Sequence, residues 1–251
     1  MTLNPLILGG TMEATALCRR MAEAGLPGVI SFAGRVERPV RQPLPQRVGG
    51  FGGLEGLVAY LRGEGVSHVV DATHPFANQM SFNAVAACAK AAVPLIALTR
   101  AAWVPEPGDD WRFVPDIAGA VAALDRPACR VLLAVGRMHL AEFAPNPQHH
   151  YVLRLVDPPK APPPLPDCHV IVDRGPFSVE GDEALMQEHR IDLVVSKNAG
   201  GKGARAKLIA ARTLGLPVIM IDRPAQPERL EAHSANEVIA WLTHGATERG
   251  V

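Results

Sequence analysis

A strand, a helix and a second strand are written into this chain twice, and that repeat limits the fold more than any other feature. Ser67-His68-Val69-Val70-Asp71-Ala72-Thr73-His74 and Ile191-Asp192-Leu193-Val194-Val195-Ser196-Lys197-Asn198 are apolar runs that end in polar residues. Each is followed by a helical segment and a second apolar run, Val93–Leu98 in one case and Leu216–Ile221 in the other. Two strands joined through a helix in one sheet lie parallel with a right-handed crossover, so the pattern predicts an α/β protein. Trp103–Asp110, with Pro105, Pro107, Gly108 and three acids, is the most linker-like passage in the first half, and it divides the chain into 1–110 and 111–251.

The opening stretch sharpens this reading. Leu6-Ile7-Leu8 runs into Gly9-Gly10-Thr11, and Leu17, Met21 and Ala24 then recur at helical spacing. A strand, glycine turn and helix place backbone N–H groups and the positive end of the helix dipole at the turn, which suits a phosphate or pyrophosphate. Gly9-x-Thr11-x-x-Ala14 departs from G-x-G-x-x-G/A at its middle position. The expected architecture is two Rossmann-like doubly wound domains with mostly parallel sheets.

Residues 29–33 form the next expected strand, ending at Gly34-Arg35. The acid that meets a ribose 2′-hydroxyl in NAD-binding folds is absent, and Arg35, beside Ser31 and Gly34, favours NADP(H). A solvated surface charge is the plain alternative. From Arg35 to Gly53 the chain has Arg35, Arg38, Arg41 and Arg47 against one acid, Glu37, with three prolines and Gly49-Gly50-Phe51-Gly52-Gly53. This reads as a long loop that could clamp carboxylates, or simply as a solvated basic loop.

Asp71, Thr73 and His74 fall at the carboxyl edge of the first sheet, where open α/β folds bind ligands. In the second half, Ser196-Lys197-Asn198-Ala199-Gly200-Gly201-Lys202-Gly203 opens a helix, and Lys197 to Arg212 holds five basic residues and no acid. That is again an anion site by geometry, without Walker A spacing. The proline-rich Asp157–Asp167 reads as a stiff extended loop.

Composition removes other classes. Lys plus Arg (25) equals Asp plus Glu (25) and aromatics are 5%, so no global field or stacking platform favours nucleic acid or a membrane surface. Cys18, Cys88, Cys129 and Cys168 are far apart without a C-x-x-C pair, which reads as thiols of a reducing compartment and no metal site. With no basic-then-apolar leader and no apolar run of membrane-spanning length, a cytoplasmic protein is expected.

ILGGTMEA, SFAGR, DATHPFA, DRGPFS, SKNAGGKG and VIMIDRP, in this order along nearly the whole chain, resemble the precorrin-6A reductase family of cobalamin biosynthesis. The resemblance implies a two-domain, Rossmann-like enzyme that uses NADPH to convert precorrin-6A, a tetrapyrrole-derived macrocycle, to precorrin-6B; in the anaerobic branch the substrate carries cobalt. It places Gly9, Gly10, Thr11 and Glu13 at the dinucleotide phosphates and Ser31, Gly34 and Arg35 near the 2′-phosphate. Asp71, Thr73 and His74 fall beside the nicotinamide half. Phe76, Arg174, Ser178, Lys197, Asn198, Gly200, Gly201 and Lys202 would meet the substrate across an interdomain cleft. Hand-over to neighbouring pathway enzymes is a further expectation.

Lys197, His74 and bound water are the candidate proton donors. Two rivals stand beside this reading. A short-chain NADPH reductase needs a Tyr-x-x-x-Lys pair, but Tyr60 and Tyr151 are followed at that spacing by Glu64 and Leu155. A non-catalytic NADPH-sensing module would bind cofactor without turnover.

Overall fold

The computed structural model describes residues 2–34, 40–175 and 177–247. The first half builds β1 (Pro5–Leu8), α1 (Met12–Glu23), β2 (Val29–Phe32), β3 (Gln46–Val48), α2 (Gly53–Gly63), β4 (His68–Asp71), α3 (Asn78–Ala91) and β5 (Leu95–Leu98). There follow β6 (Trp111–Val114), α4 (Ile117–Ala123), β7 (Arg130–Ala134), a 3-10 helix (Arg137–Phe143), β8 (His150–Leu155), β9 (Cys168–Val172), α5 (Val179–Glu188), β10 (Leu193–Lys197), α6 (Ala206–Thr213) and β11 (Val218–Ile221). The chain ends in β12 (Leu230–Ala232) and α7 (Ala235–Thr247).

Among the described residues the strands form two six-stranded sheets, β12-β5-β4-β1-β2-β3 and β6-β11-β10-β7-β8-β9, and every pairing is parallel. The doubly wound expectation is therefore met. Each sheet has the order 3-2-1-4-5-6, but the sixth strand is exchanged. After β5 the chain adds β6 to the edge of the second sheet, and after β11 it adds β12 to the edge of the first.

Central strands are buried on both faces, and alternate residues serve opposite cores. In the first sheet Ile7 and Val70 join Leu17, Met21, Ile30, Val238 and Leu242 under α1 and α7. Leu6, Leu8 and Val69 join Leu57, Leu61 and Cys88 under α2 and α3. In the second sheet Leu132, Val194 and Met220 pack with Met186, Leu208 and Ala211 of α5 and α6.

Two compact units result. One runs through Arg100 and resumes at Ala225; the other spans Ala101–Pro224. This corrects the expected boundaries of 1–110 and 111–251. Residues 101–110 belong to the second unit because Asn198 grips the Trp103 backbone and Arg212 pairs with Glu106. The tail belongs to the first because β12 pairs with β5 and α7 fills the core beside α1. The sequence reading also lacked β3, β6, β12 and the 3-10 helix. The three strands are short sheet edges with mostly polar or exposed residues, so they carry no buried-strand pattern.

Candidate functional site

In the first sheet the chain reverses winding between β1 and β4, so the crevice beyond their carboxyl ends is the ligand position of this fold. Gly9-Gly10-Thr11 and Ala72-Thr73-His74 flank it. Thr11 joins the two sides: its hydroxyl donates to Ala72 O at 2.9 Å and accepts from Ala14 N at 3.1 Å, capping α1. The side chain is thus committed to structure, and contact with an anion falls to the N–H groups of the first turn, which have no acceptor within the helix. Gly10 has φ of +127°, and a Cβ there would meet nothing within 4 Å, so the turn is an open cradle. Glu13 is paired with Arg100 at the end of β5, which offsets an acid in the same first turn.

Asp71, at the end of β4, is 3% exposed. Its Oδ1 accepts from Thr73 N (3.1 Å) and Thr73 Oγ1 (2.7 Å), and its Oδ2 from Ser81 Oγ (2.6 Å) and Arg229 Nη1 (2.7 Å). Both oxygens are engaged by the protein, so Asp71 orders the loop that follows it. His74 Nδ1 accepts from Phe76 N at 3.2 Å, which in the neutral ring puts the proton on Nε2. The Phe76 ring lies 5.8 Å from that of His74, so Phe76, expected at the substrate, stands in the same unit as the expected cofactor residues.

At the end of β2, Ser31 is buried and accepts from Arg47 Nη1 at 3.0 Å. Arg47 also donates to Gly50 O at 2.7 Å, and its guanidinium lies 3.9 Å from the Phe51 ring centroid. Gly34 takes φ of +73° next to Gly49. Arg35 lies outside the described residues. Arg47, Arg100 and Arg229 were not singled out by sequence reasoning as site residues. For Arg47 the signal was its place in the basic, glycine-rich loop; Arg229 had none.

In the second unit the loop after β10 is held by its own clips. Asn198 Oδ1 accepts from Trp103 N (2.8 Å), its Nδ2 donates to Trp103 O (3.0 Å), and Trp103 Nε1 donates to Gly201 O (2.7 Å). Arg223 donates to Asn198 O at 2.9 Å and Ala199 O at 3.1 Å. Asn198 therefore fixes the loop. Gly200 is required there: φ is +69°, and a Cβ would fall 2.2 Å from Ala101 O. Lys197 is half-buried at the strand end and Lys202 is exposed. Ser178 caps α5 through Gly181 N at 3.0 Å, and Arg174 pairs with Asp157 while donating to Val156 O at 3.2 Å.

Behind this loop Lys207 donates to Ala204 O at 2.7 Å and lies 5.1 Å from the Trp103 ring centroid, near the buried Arg154–Asp182 pair. Burial lowers its pKa from 10.5 to about 8; Asp182 opposes the shift and Arg154 adds to it. All four cysteines are free thiols, and no helix among the described residues is long and apolar enough to cross a membrane.

The family model Precorrin-6x reductase CbiJ/CobK matches residues 5–243. A precorrin-6A reductase of Rhodobacter capsulatus is 59% identical over 98% of this chain and 98% of its own. One from Mycobacterium tuberculosis is 40% identical over 94% of this chain and 96% of its own. A cobalt-precorrin-6A reductase of Salmonella typhimurium is 28% identical over 94% and 96%. A solved structure titled CobK precorrin-6A reductase superposes with a TM-score of 0.94 at 58% identity, covering 99% of this chain and 100% of that one.

Proposed function

The chain belongs to the CbiJ/CobK precorrin-6x reductase family, and on that premise we propose that it reduces a double bond of precorrin-6A with NADPH, giving precorrin-6B in cobalamin biosynthesis. The observation that carries the cofactor reading is the open glycine cradle between β1 and α1, tied by Thr11 to the end of β4. The open backbone at Gly10 and the first-turn N–H groups that the helix leaves without acceptors suit a pyrophosphate, while Gly9, where a Cβ would fall 2.8 Å from Ile30 Cδ1, lets the turn pack against β2. Ser31 and Gly34 with Arg35, assisted by Arg47, meet the 2′-phosphate, while Thr73 and His74 order the nicotinamide half.

NADPH supplies a hydride to an electron-poor carbon of the macrocycle when bound. The protein's own residues bind, orient and move the proton. His74 Nε2–H and Lys197 are the candidate donors to the atom next to the reduced carbon. Substrate carboxylates are met by Lys197, Lys202 and Arg174, with Phe76 against the apolar ring; Asn198, Gly200, Gly201 and Ser178 shape the backbone that presents them. Relatives named for precorrin-6A, at 59% and 40% identity, are more alike in sequence than one named for cobalt-precorrin-6A, at 28%, which supports a substrate without cobalt. A cytoplasmic setting fits four free thiols.

Incubation with NADPH and precorrin-6A, following loss of nicotinamide absorbance, tests turnover and sinks the sensing-module rival if absorbance falls. The cofactor choice is tested by Arg35→Ala. A 2′-phosphate without its charged partner loses roughly 1.5–3 kcal/mol, so NADPH affinity falls roughly tenfold or more while NADH affinity holds. Equal losses for the two cofactors contradict the reading.

A further inference from the structure

The segment returning to the first unit ahead of β12 grips the loop after β4 at two points. Arg229 Nη1 bonds Asp71 Oδ2 at 2.7 Å, and Gln226 Nε2 donates to Pro75 O at 2.8 Å. The Arg229 and Asp71 side chains are 8% and 2% exposed. A buried carboxylate left without a counter-ion is strongly disfavoured, and Arg229 is the cation that pairs with Asp71 at the strand end. Asp71 in turn holds Thr73 by both its N–H and its hydroxyl, and Ser81 of α3 closes the other side. Glu231 Oε1 lies 3.6 Å from Arg229 Nε, a second carboxylate beside the guanidinium. The chain of contacts is Arg229, Asp71, Thr73, and then the His74–Phe76 turn.

We propose that Arg229 is a positioning residue: acting through Asp71, it sets Thr73 and His74 of the 73–76 loop for the nicotinamide half of the coenzyme. The inference rests on the cofactor reading above. Its consequence is a division of labour within the first unit. The glycine turn after β1 grips the phosphates and sets affinity, whereas the loop after β4, braced by Arg229 and Gln226, sets alignment. Loss of the brace therefore slows the chemical step more than it weakens binding, because small misplacements at the reacting centre are amplified in rate.

The test uses the full chain with Arg229→Met, Arg229→Lys and the doubly neutral Asp71→Asn/Arg229→Met, which leaves no unpaired charge buried at the strand end. Four quantities are read: NADPH affinity by fluorescence titration, single-turnover reduction of precorrin-6A, melting temperature, and amide hydrogen exchange of residues 71–77 without cofactor. In Arg229→Met, or in the double variant if that one alone folds, exchange in 71–77 rises and single-turnover rate falls about tenfold or more. NADPH affinity stays within about threefold, and Arg229→Lys recovers at least about a third of the rate. A folded variant lacking Arg229 that turns over within about twofold of the parent overturns the proposal, as does a rate loss matched by an equal loss of cofactor-binding sites. Gly10→Val separates the two readings: if it leaves NADPH affinity unchanged, the cofactor assignment fails, whatever Arg229 does.

Discussion

Lys207 holds its ammonium among Trp103, Ala204 and the Arg154–Asp182 pair, and its lowered pKa links it to stability. Between about 8 and 10.5 the unfolded chain binds the proton that the folded chain releases, so this group's contribution becomes more favourable as pH rises through that window. Below it, the folded state bears a penalty of about 3 kcal/mol. Cys18 and Cys88 act oppositely, because burial raises them from 9.0 to about 11 and about 12 and their thiol protons favour the folded state. A comparison isolates the lysine: the stability of Lys207→Met relative to the parent in urea unfolding declines from pH 7 to pH 10. A constant difference contradicts the buried charge. Thr11 is the other residue with a sharp expectation. Thr11→Val loses the cap to Ala14 N and the tie to Ala72 O, lowering stability by about 1–2 kcal/mol in the same assay.

Among the elements, the loop after β10 depends on backbone shape more than on its lysines. Gly200→Ala sets a methyl group against the Ala101 carbonyl in a left-handed conformation, and thermal unfolding should report a loss exceeding about 2 kcal/mol. How far such elements could be read beforehand follows from their burial. β1 and β11 are apolar throughout and β4 and β10 carry apolar centres, because both faces are covered, and that is visible in the residues themselves. Gln46-Arg47-Val48 and Leu230-Glu231-Ala232 are strands because a neighbouring strand offers an open edge, a condition written elsewhere in the chain. The site divides in the same way. The glycine turn and its Thr11 cap are local and legible. The Asp71–Arg229 pair spans 158 positions and the Asn198–Trp103 clip spans 95, so the structural partners of Asp71 and Asn198 are out of view in the local sequence.

At the level of the molecule, ending the chain after Pro224 removes β12, α7 and Arg229 from the first unit while leaving the second intact in sequence. The first core loses Val238 and Leu242, and Asp71 loses its counter-ion. Limited proteolysis of the shortened protein should cut within residues 2–100 first and spare 101–224; equal protection of both contradicts the role given to the tail. The exchanged edge strands also set an order of events during synthesis. The unit encoded by one contiguous stretch has all six of its strands once that stretch is made. The lobe that begins first must wait, the outer edge of β5 unpaired, until β12 has been made beyond the other unit.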